Sequence, residues 1–245
     1  MRGVEKMTLH NPGVTFCRTQ NPVRVVRFLE SVHEKIGSFQ GLKGKQVDLW
    51  LTSEGEAAEF DPSVGSIMKV HRGSVVQEEK EFIRTRPPML DKTFYPFSYY
   101  GIESTKGNFL LVCGKAVAST LLLRILKKNS YEVTMVNLGR SVQDKLCSRR
   151  DMFYYATSVD DEVEARTGKL RVTSRSTDTP LKGAKIDALI DKRGRNRDQG
   201  ITWRETSVRP KIVFWINRLG RLHIKRMDLE ESFFLELVDI ITGVL

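Results

Sequence analysis

The sequence predicts an α+β protein: a mixed α/β N-terminal part with a β-α-β unit, then a basic antiparallel β-rich region and a C-terminal helix. Three observations point there. An apolar strand pattern at 109–112, a helical pattern at 116–127 and a second strand at 131–136 follow one another, with Gly114 and Asn129 at the joints. Beyond residue 166 the chain turns to short alternating runs of β-branched and aromatic residues with cations between them. Residues 229–241 then carry apolar side chains at helical spacing. With 245 residues, 40% of them hydrophobic, the chain can enclose one or two cores, and the change of character divides it into domains at 1–165 and 166–245.

The first helix starts at Asn21 and Pro22, because an Asn side chain can accept from the free amides of a first turn and Pro at the first helical position gives up no bond. Val25, Phe28, Leu29, Val32 and Ile36 recur at helical spacing, and Gly37 supplies the stop. After Gly41 and Gly44, residues 47–51 read as a short strand and 74–84 as a longer, solvent-facing one. Pro87 and Pro88 interrupt the pattern before the aromatic segment of Phe94, Tyr95, Phe97, Tyr99 and Tyr100, and the β-α-β unit follows. Residues 186–190 and 201–206 read as a strand pair joined by the polar loop 192–200, and 211–217 with 221–225 as an antiparallel hairpin turning at 217–220. Asp228 is placed to cap the last helix, Glu231 completes a capping box, Leu229, Phe233, Leu237 and Ile241 form its buried stripe, and Gly243 ends it. No internal repeat or low-complexity tract is visible.

The net charge of +10 is unevenly spread. Residues 166–226 hold seventeen Lys and Arg against five acids, a net +12, whereas 227–245 carry five acids and no base and 1–165 contribute +3. A concentrated excess makes a field where a dispersed one only aids solubility. Alternate side chains of a strand face opposite ways, which sorts these cations by face. In 169–175, Leu170 and Val172 point one way and Lys169, Arg171, Thr173 and Arg175 the other. In 211–217, Ile212, Phe214 and Ile216 turn inward and Lys211, Val213, Trp215 and Asn217 outward. Past the turn, Leu222 and Ile224 face inward, and Arg221, His223 and Lys225 outward.

Cations neutralise phosphates and release counterions, and an indole stacks on an unpaired base. The candidate nucleic-acid-binding residues are therefore Lys169, Arg171, Arg175, Lys192, Arg193, Arg195, Arg197, Arg204, Lys211, Trp215, Arg218, Arg221, His223 and Lys225. A merely solvated face would intersperse more carboxylates. With no zinc finger, helix-turn-helix or RRM signature, recognition of phosphate or shape is expected rather than base readout.

Catalytic patterns are sparse. Gly114-Lys115 after an apolar strand is similar to the end of a phosphate-binding loop, yet Phe109 stands where its first Gly is required and Ala116 where Ser or Thr would reach magnesium. Asp61 with Glu78 and Lys80 approximates the two carboxylates and Lys of a restriction-type nuclease, in which the carboxylates hold magnesium and the Lys steadies the attacking water. A solvated strand face explains the Glu-Glu-Lys-Glu run more simply. His10, His33, His71 and His223 are scattered, with no triad partner in sight. Cys17, Cys113 and Cys147 are odd in number and lack a C-x-x-C, which argues against disulfide and zinc scaffolds; Cys113, inside FLLVCG, reads as a buried, inert thiol. No catalytic residue, metal or cofactor is expected.

Asn, Gln and Cys total sixteen residues against 29% charged ones, a balance that fits a thermophile. The longest apolar runs, 109–113 and 116–123, fall short of the roughly 18–20 residues that cross a bilayer. Glu5, Lys6, His10 and Pro12 interrupt any leader-like stretch, so a cytoplasmic protein without membrane contact is expected.

These observations point to a non-catalytic nucleic-acid-binding subunit of a larger complex. The alternatives are a small metal-dependent nuclease using Asp61, Glu78 and Lys80, and a structural adaptor binding an acidic protein. In layout, with mixed α/β pieces, a basic β-rich region and no catalytic tetrad, the chain resembles the N-terminal half of a split prokaryotic Argonaute, the N domain plus its linkers. The resemblance covers most of the chain. It implies a heterodimer with a second Argonaute half, contact with a guide and target, as a duplex or single strand, in a basic channel, and a role in prokaryotic defence. It assigns no role to any single residue; the candidate residues rest on charge and alternation.

Overall fold

A computed structural model describes residues 13–40, 46–83, 89–114, 116–161, 168–173, 176–181, 197–217, 219–224 and 229–245. The fold is α+β with a C-terminal helix, and it divides into two compact units, one within Leu9–Met135 and one within Val136–Leu245. Among the described residues, no helix is long and apolar enough to cross a membrane.

The first unit runs β1 (Gly13–Thr19), α1 (Pro22–Ser31), β2 (His33–Gln40), β3 (Gln46–Ser53), β4 (Ala58–Phe60), β5 (Ile67–Ile83), β6 (Met89–Ser104), β7 (Phe109–Cys113), α2 (Ala116–Lys128) and β8 (Val133–Met135). Its strands pair antiparallel in the order β1-β7-β6-β5-β3-β2, with β4 added to β5 and β8 to the other side of β1. The β-α-β unit expected from the sequence is present as β7, α2 and β8, but β1 lies between its two strands. Every residue of β7 is buried, as a continuous apolar run requires of a strand flanked on both sides.

Asn21 caps α1 as expected, its Oδ1 accepting from the Arg24 amide at 2.9 Å. The helix nevertheless stops at Ser31, before Ile36 and Gly37. Val32 takes an extended conformation, and its carbonyl accepts from the Ser53 amide at 2.8 Å, so the chain passes directly into β2. A β-branched residue with a strand partner at hand favours that exit over another helical turn. Val25, Val26 and Leu29 of α1 and Leu122, Ile125 and Leu126 of α2 share one core with Cys17, Leu51, Val75, Phe97, Tyr99, Leu110 and Val112. Each large side chain so buried stabilises by about 1.5–3 kcal/mol. The strand expected to face solvent at 74–84 is part of the longer β5, and its Val75 and Gln77 are buried. Gly73 pairs with Tyr99, and a Cβ there would stand 2.2 Å from the Tyr99 hydroxyl, so the glycine makes room for the phenol.

The second unit runs α3 (Arg140–Cys147), β9 (Met152–Asp161), β10 (Gly168–Thr173), β11 (Arg197–Trp203), β12 (Ile212–Ile216), β13 (Leu222–Ile224) and α4 (Glu231–Thr242). Its strand order is β10-β9-β11-β12-β13, again antiparallel throughout. Among the described residues, each unit combines two helices with its antiparallel strands. Residues 197–200, expected in a loop, form the first half of β11, where Gln199 and Gly200 are buried between β9 and β12. That strand ends at Trp203, three residues before its expected end; residues 186–190 lie outside the described residues. The last helix begins at Glu231 with Glu230 at its N-cap, which makes no side-chain capping bond, while Asp228 lies outside the described residues. Its buried positions are Phe234, Leu235, Leu237, Val238, Ile241 and Thr242, and Phe233 is only partly covered.

Candidate nucleic-acid interface

The β12–β13 hairpin builds the center of the candidate surface. Asn217 Oδ1 accepts from the amides of Leu219 and Arg221, both at 3.0 Å, and Gly220 takes φ +69°, the left-handed conformation that favours glycine. The register this turn sets pairs Phe214 with Ile224, Trp215 with His223 and Ile216 with Leu222. Ile212, Phe214, Ile216, Leu222 and Ile224 are buried on one face, whereas Val213, Trp215 and His223 are partly exposed on the other, as the alternation predicts.

Next to the hairpin, Gly200 of β11 stands opposite Trp215 and, across the other edge, opposite Ala156 of β9. A Cβ on Gly200 would come within 2.8 Å of the Tyr155 ring, so that ring lies across the glycine. Tyr155 and Trp215 meet edge to face, with centroids 5.6 Å apart and planes at 79°. Phe153 and Val213 complete the cluster, and the exposed Arg204 sets its guanidinium carbon 5.0 Å from the centre of the Phe153 ring. Phe153, Tyr155 and Ala156 are themselves buried, so of this cluster only the part-exposed Val213 and Trp215 reach the surface. Phe153 and Tyr155 escaped the sequence analysis, although they alternate with Met152 and Tyr154 in the strand period.

The cations are more committed than their count suggests. Lys211 Nζ bonds Asp178 Oδ1 at 2.7 Å. Arg221, expected to point outward, is buried at 5% exposure. His223 is half-buried with Nε2 3.1 Å from Asn217 Nδ2; burial, reinforced by Arg221 and opposed by Asp198, holds its imidazolium below the usual range. At neutral pH it is thus a polar ring rather than a phosphate-binding charge.

Arg209 belongs to the same basic stretch and is structural. It is buried, with its guanidinium carbon 3.5 Å from the Trp203 ring centre; it donates to Arg204 O at 2.8 Å and to Glu236 Oε1 at 3.1 Å. Trp203 Nε1 donates to Asp151 Oδ2 at 2.8 Å, which ties β9 and β11 to this network.

Lys169 and Arg171 lie in β10 and Arg197 in β11. Arg171 shares a row with Ser158 and Asp198, and Arg197 the next row with Val159 and Leu170. Their side chains, and Arg175, Lys192, Arg193, Arg195, Arg218 and Lys225 altogether, lie outside the described residues.

The nuclease constellation does not assemble around Asp61. That residue follows β4, which pairs with the start of β5 through Phe60 and Val70, and its Oδ1 accepts from the Ser63 amide at 2.8 Å. Glu78 and Lys80 stand farther along β5, opposite Trp50 and Asp48. At about 3.3 Å per strand residue, roughly 30 Å separates the two places. Among the described residues, no cluster of three or more His, Cys, Asp and Glu could hold a metal ion.

In the first unit, the buried His71 is tied to carboxylates of two neighbouring strands. His71 has Nε2 3.1 Å from Glu103 Oε1 and Nδ1 3.4 Å from Glu59 Oε2, and Glu59 also bonds Lys69 at 2.6 Å. These contacts join β4 to β5 and β6. Beside them, Glu103 lines a cavity of about 510 Å³ with Gln20, Asn21, Arg24, Arg27 and Asn108 at the start of α1.

No protein-family model matches this chain, and a search among curated proteins finds no match to it.

Proposed function

We propose that this chain is a non-catalytic nucleic-acid-binding subunit whose contact surface is the outward face of β9, β11, β12 and β13. The observation that carries this reading is the cross-strand pair of Trp215 and His223, joined edge to face by Tyr155, within a stretch of net charge +12. A polyanion supplies the complementary charge, and its bases supply planar faces for an indole. The adaptor alternative uses the same charge, and the salt-dependent oligonucleotide binding described below separates the two. A second protein subunit belongs to the same proposal, as the partner half of a split Argonaute, and co-purification from the native source tests it. A lone, fully active monomer removes the partner.

Oligonucleotide binding measured across a salt series tests the main proposal. Affinity falls with salt, with a slope of about −0.9 per phosphate contact on duplex DNA and about −0.7 on single strands. Charge reversal at Arg193, Arg195 and Arg197 weakens binding, whereas equal changes within residues 1–165 leave it nearly intact. No binding at low salt refutes the proposal.

A further inference from the structure

We propose that the cavity beside α1 in the first unit binds a guanine mononucleotide, with its phosphate at Arg24 and Arg27 and its base at Glu103; this site does not depend on the nucleic-acid reading of the second unit. Three charged side chains line that cavity without closing on one another. Arg24 and Arg27 stand three positions apart on α1, neighbours on one helix face, and Glu103 comes from β6. Among the described residues, neither guanidinium forms a salt bridge, with Glu103 or with any other carboxylate. Arg24 lies 5.4 Å from the centre of the Tyr131 ring, and Arg27 acts on Glu59 only through its field. Two like charges so close repel each other, and an anion between them relieves the repulsion with charge-assisted bonds.

The polar groups around the cavity are held from behind. The His71 side chain is 6% exposed and sets its Nε2 3.1 Å from Glu103 Oε1. That contact occupies one oxygen of a group with about four acceptor sites. Asn108 Nδ2 donates to the Gln20 carbonyl at 3.0 Å. The helix itself is pressed onto Gly101, where a Cβ would stand 2.7 Å from Val26 Cγ2, so α1 and its arginines are seated on the same strand that carries Glu103. Groups fixed in this way lose little entropy when a ligand arrives. A volume of about 510 Å³ falls within the roughly 300–1,000 Å³ of small-molecule sites. Paired cations beside a carboxylate call for a ligand that is anionic at one end and rich in N–H donors at the other. A carboxylate accepts from two adjacent donors at once, which the pairing edge of guanine offers; uracil sets its ring N–H between two carbonyls and does not.

The test is isothermal titration calorimetry of the full chain with guanosine monophosphate at low salt. It is expected to bind about ten-fold or more tightly than inorganic phosphate, guanosine or uridine monophosphate, each of which satisfies one end of the site only. Exchanging Arg24 and Arg27 together for Gln weakens guanosine monophosphate by about ten-fold or more and removes its advantage over guanosine. Glu103→Gln removes its advantage over uridine monophosphate. Both arginines are exposed, so the double variant keeps the wild-type melting temperature, and the ligand comparison on the wild type stands even if the Glu103 variant folds poorly. Absence of binding, binding no tighter than that of inorganic phosphate or uridine monophosphate, or affinity unchanged in the double variant overturns the proposal. Oligonucleotide affinity of the double variant stays at the wild-type level, so failure of this site and failure of the nucleic-acid reading are separate results.

Discussion

Replacing Arg209 by Met separates a structural cation from the surface charges around it. Arg209 is 6% exposed, and its guanidinium stacks on Trp203, bonds the Arg204 carbonyl and pairs with Glu236. Removing the charge leaves the Arg204 carbonyl without this donor, a cost of about 1–2 kcal/mol. It also removes a desolvated cation–aromatic contact of about 2 kcal/mol. The Glu236 side chain is 42% exposed and regains water, so that pair contributes less than about 1 kcal/mol. A Met side chain returns apolar and sulfur–aromatic contact with Trp203 of up to about 1 kcal/mol. The net expectation is a loss of about 2–3 kcal/mol in urea denaturation followed by far-UV circular dichroism, against less than about 1 kcal/mol for Glu236→Gln. Oligonucleotide affinity is unchanged in the folded variant. A loss below about 1 kcal/mol, or equality of the two variants, would show that the guanidinium acts as an ordinary surface charge.

Two further outcomes follow from the hairpin. Gly220→Ala forces a side chain into the left-handed region and sets its Cβ 2.1 Å from Asn137 Oδ1 and 2.5 Å from the Leu138 amide, so it destabilises by at least about 2 kcal/mol on thermal or urea unfolding. His223 has a folded pKa below its ordinary 6.5, so between these two values the unfolded chain binds more protons. Stability therefore rises with pH through that window, is complete above it and falls on acidification; His223→Asn flattens this part of the profile of urea midpoint against pH.

Local chemistry was the legible part of this fold. Asn21 with Pro22 set the start of α1, the apolar run at 109–112 marked a strand, and the period-two pattern of 211–217 sorted Phe214 from Trp215 correctly. What escaped depends on partners distant in sequence. Ile36 has helical spacing from Val32, but Val32 is captured by Ser53 of β3, and no local window contains that bond. Arg197 through Gly200 look too polar to pack, yet Gly200 is the residue that lets strands and the Tyr155 ring close together. At the candidate site, charge count overstated the free cations because Asp178 lies 33 positions from Lys211 and Glu236 27 positions from Arg209. Phe153 and Tyr155 were missed for the same reason, since only the β9–β11–β12 register brings them to Trp215.

The position of β1 has a consequence for how the first unit is made. Phe16 pairs with Leu111 and Arg18 with both Phe109 and Thr134, so an early strand waits for partners that lie 91 to 116 positions later. At roughly 5–20 residues per second, a ribosome takes about 5–20 s to deliver them, and throughout that interval the apolar Val14 and Phe16 have no native sheet to join. Closure of this unit is thus set by its last-made pieces, and a chain stalled before β7 cannot complete it, whatever the stability of α1 and the β5–β6 ribbon.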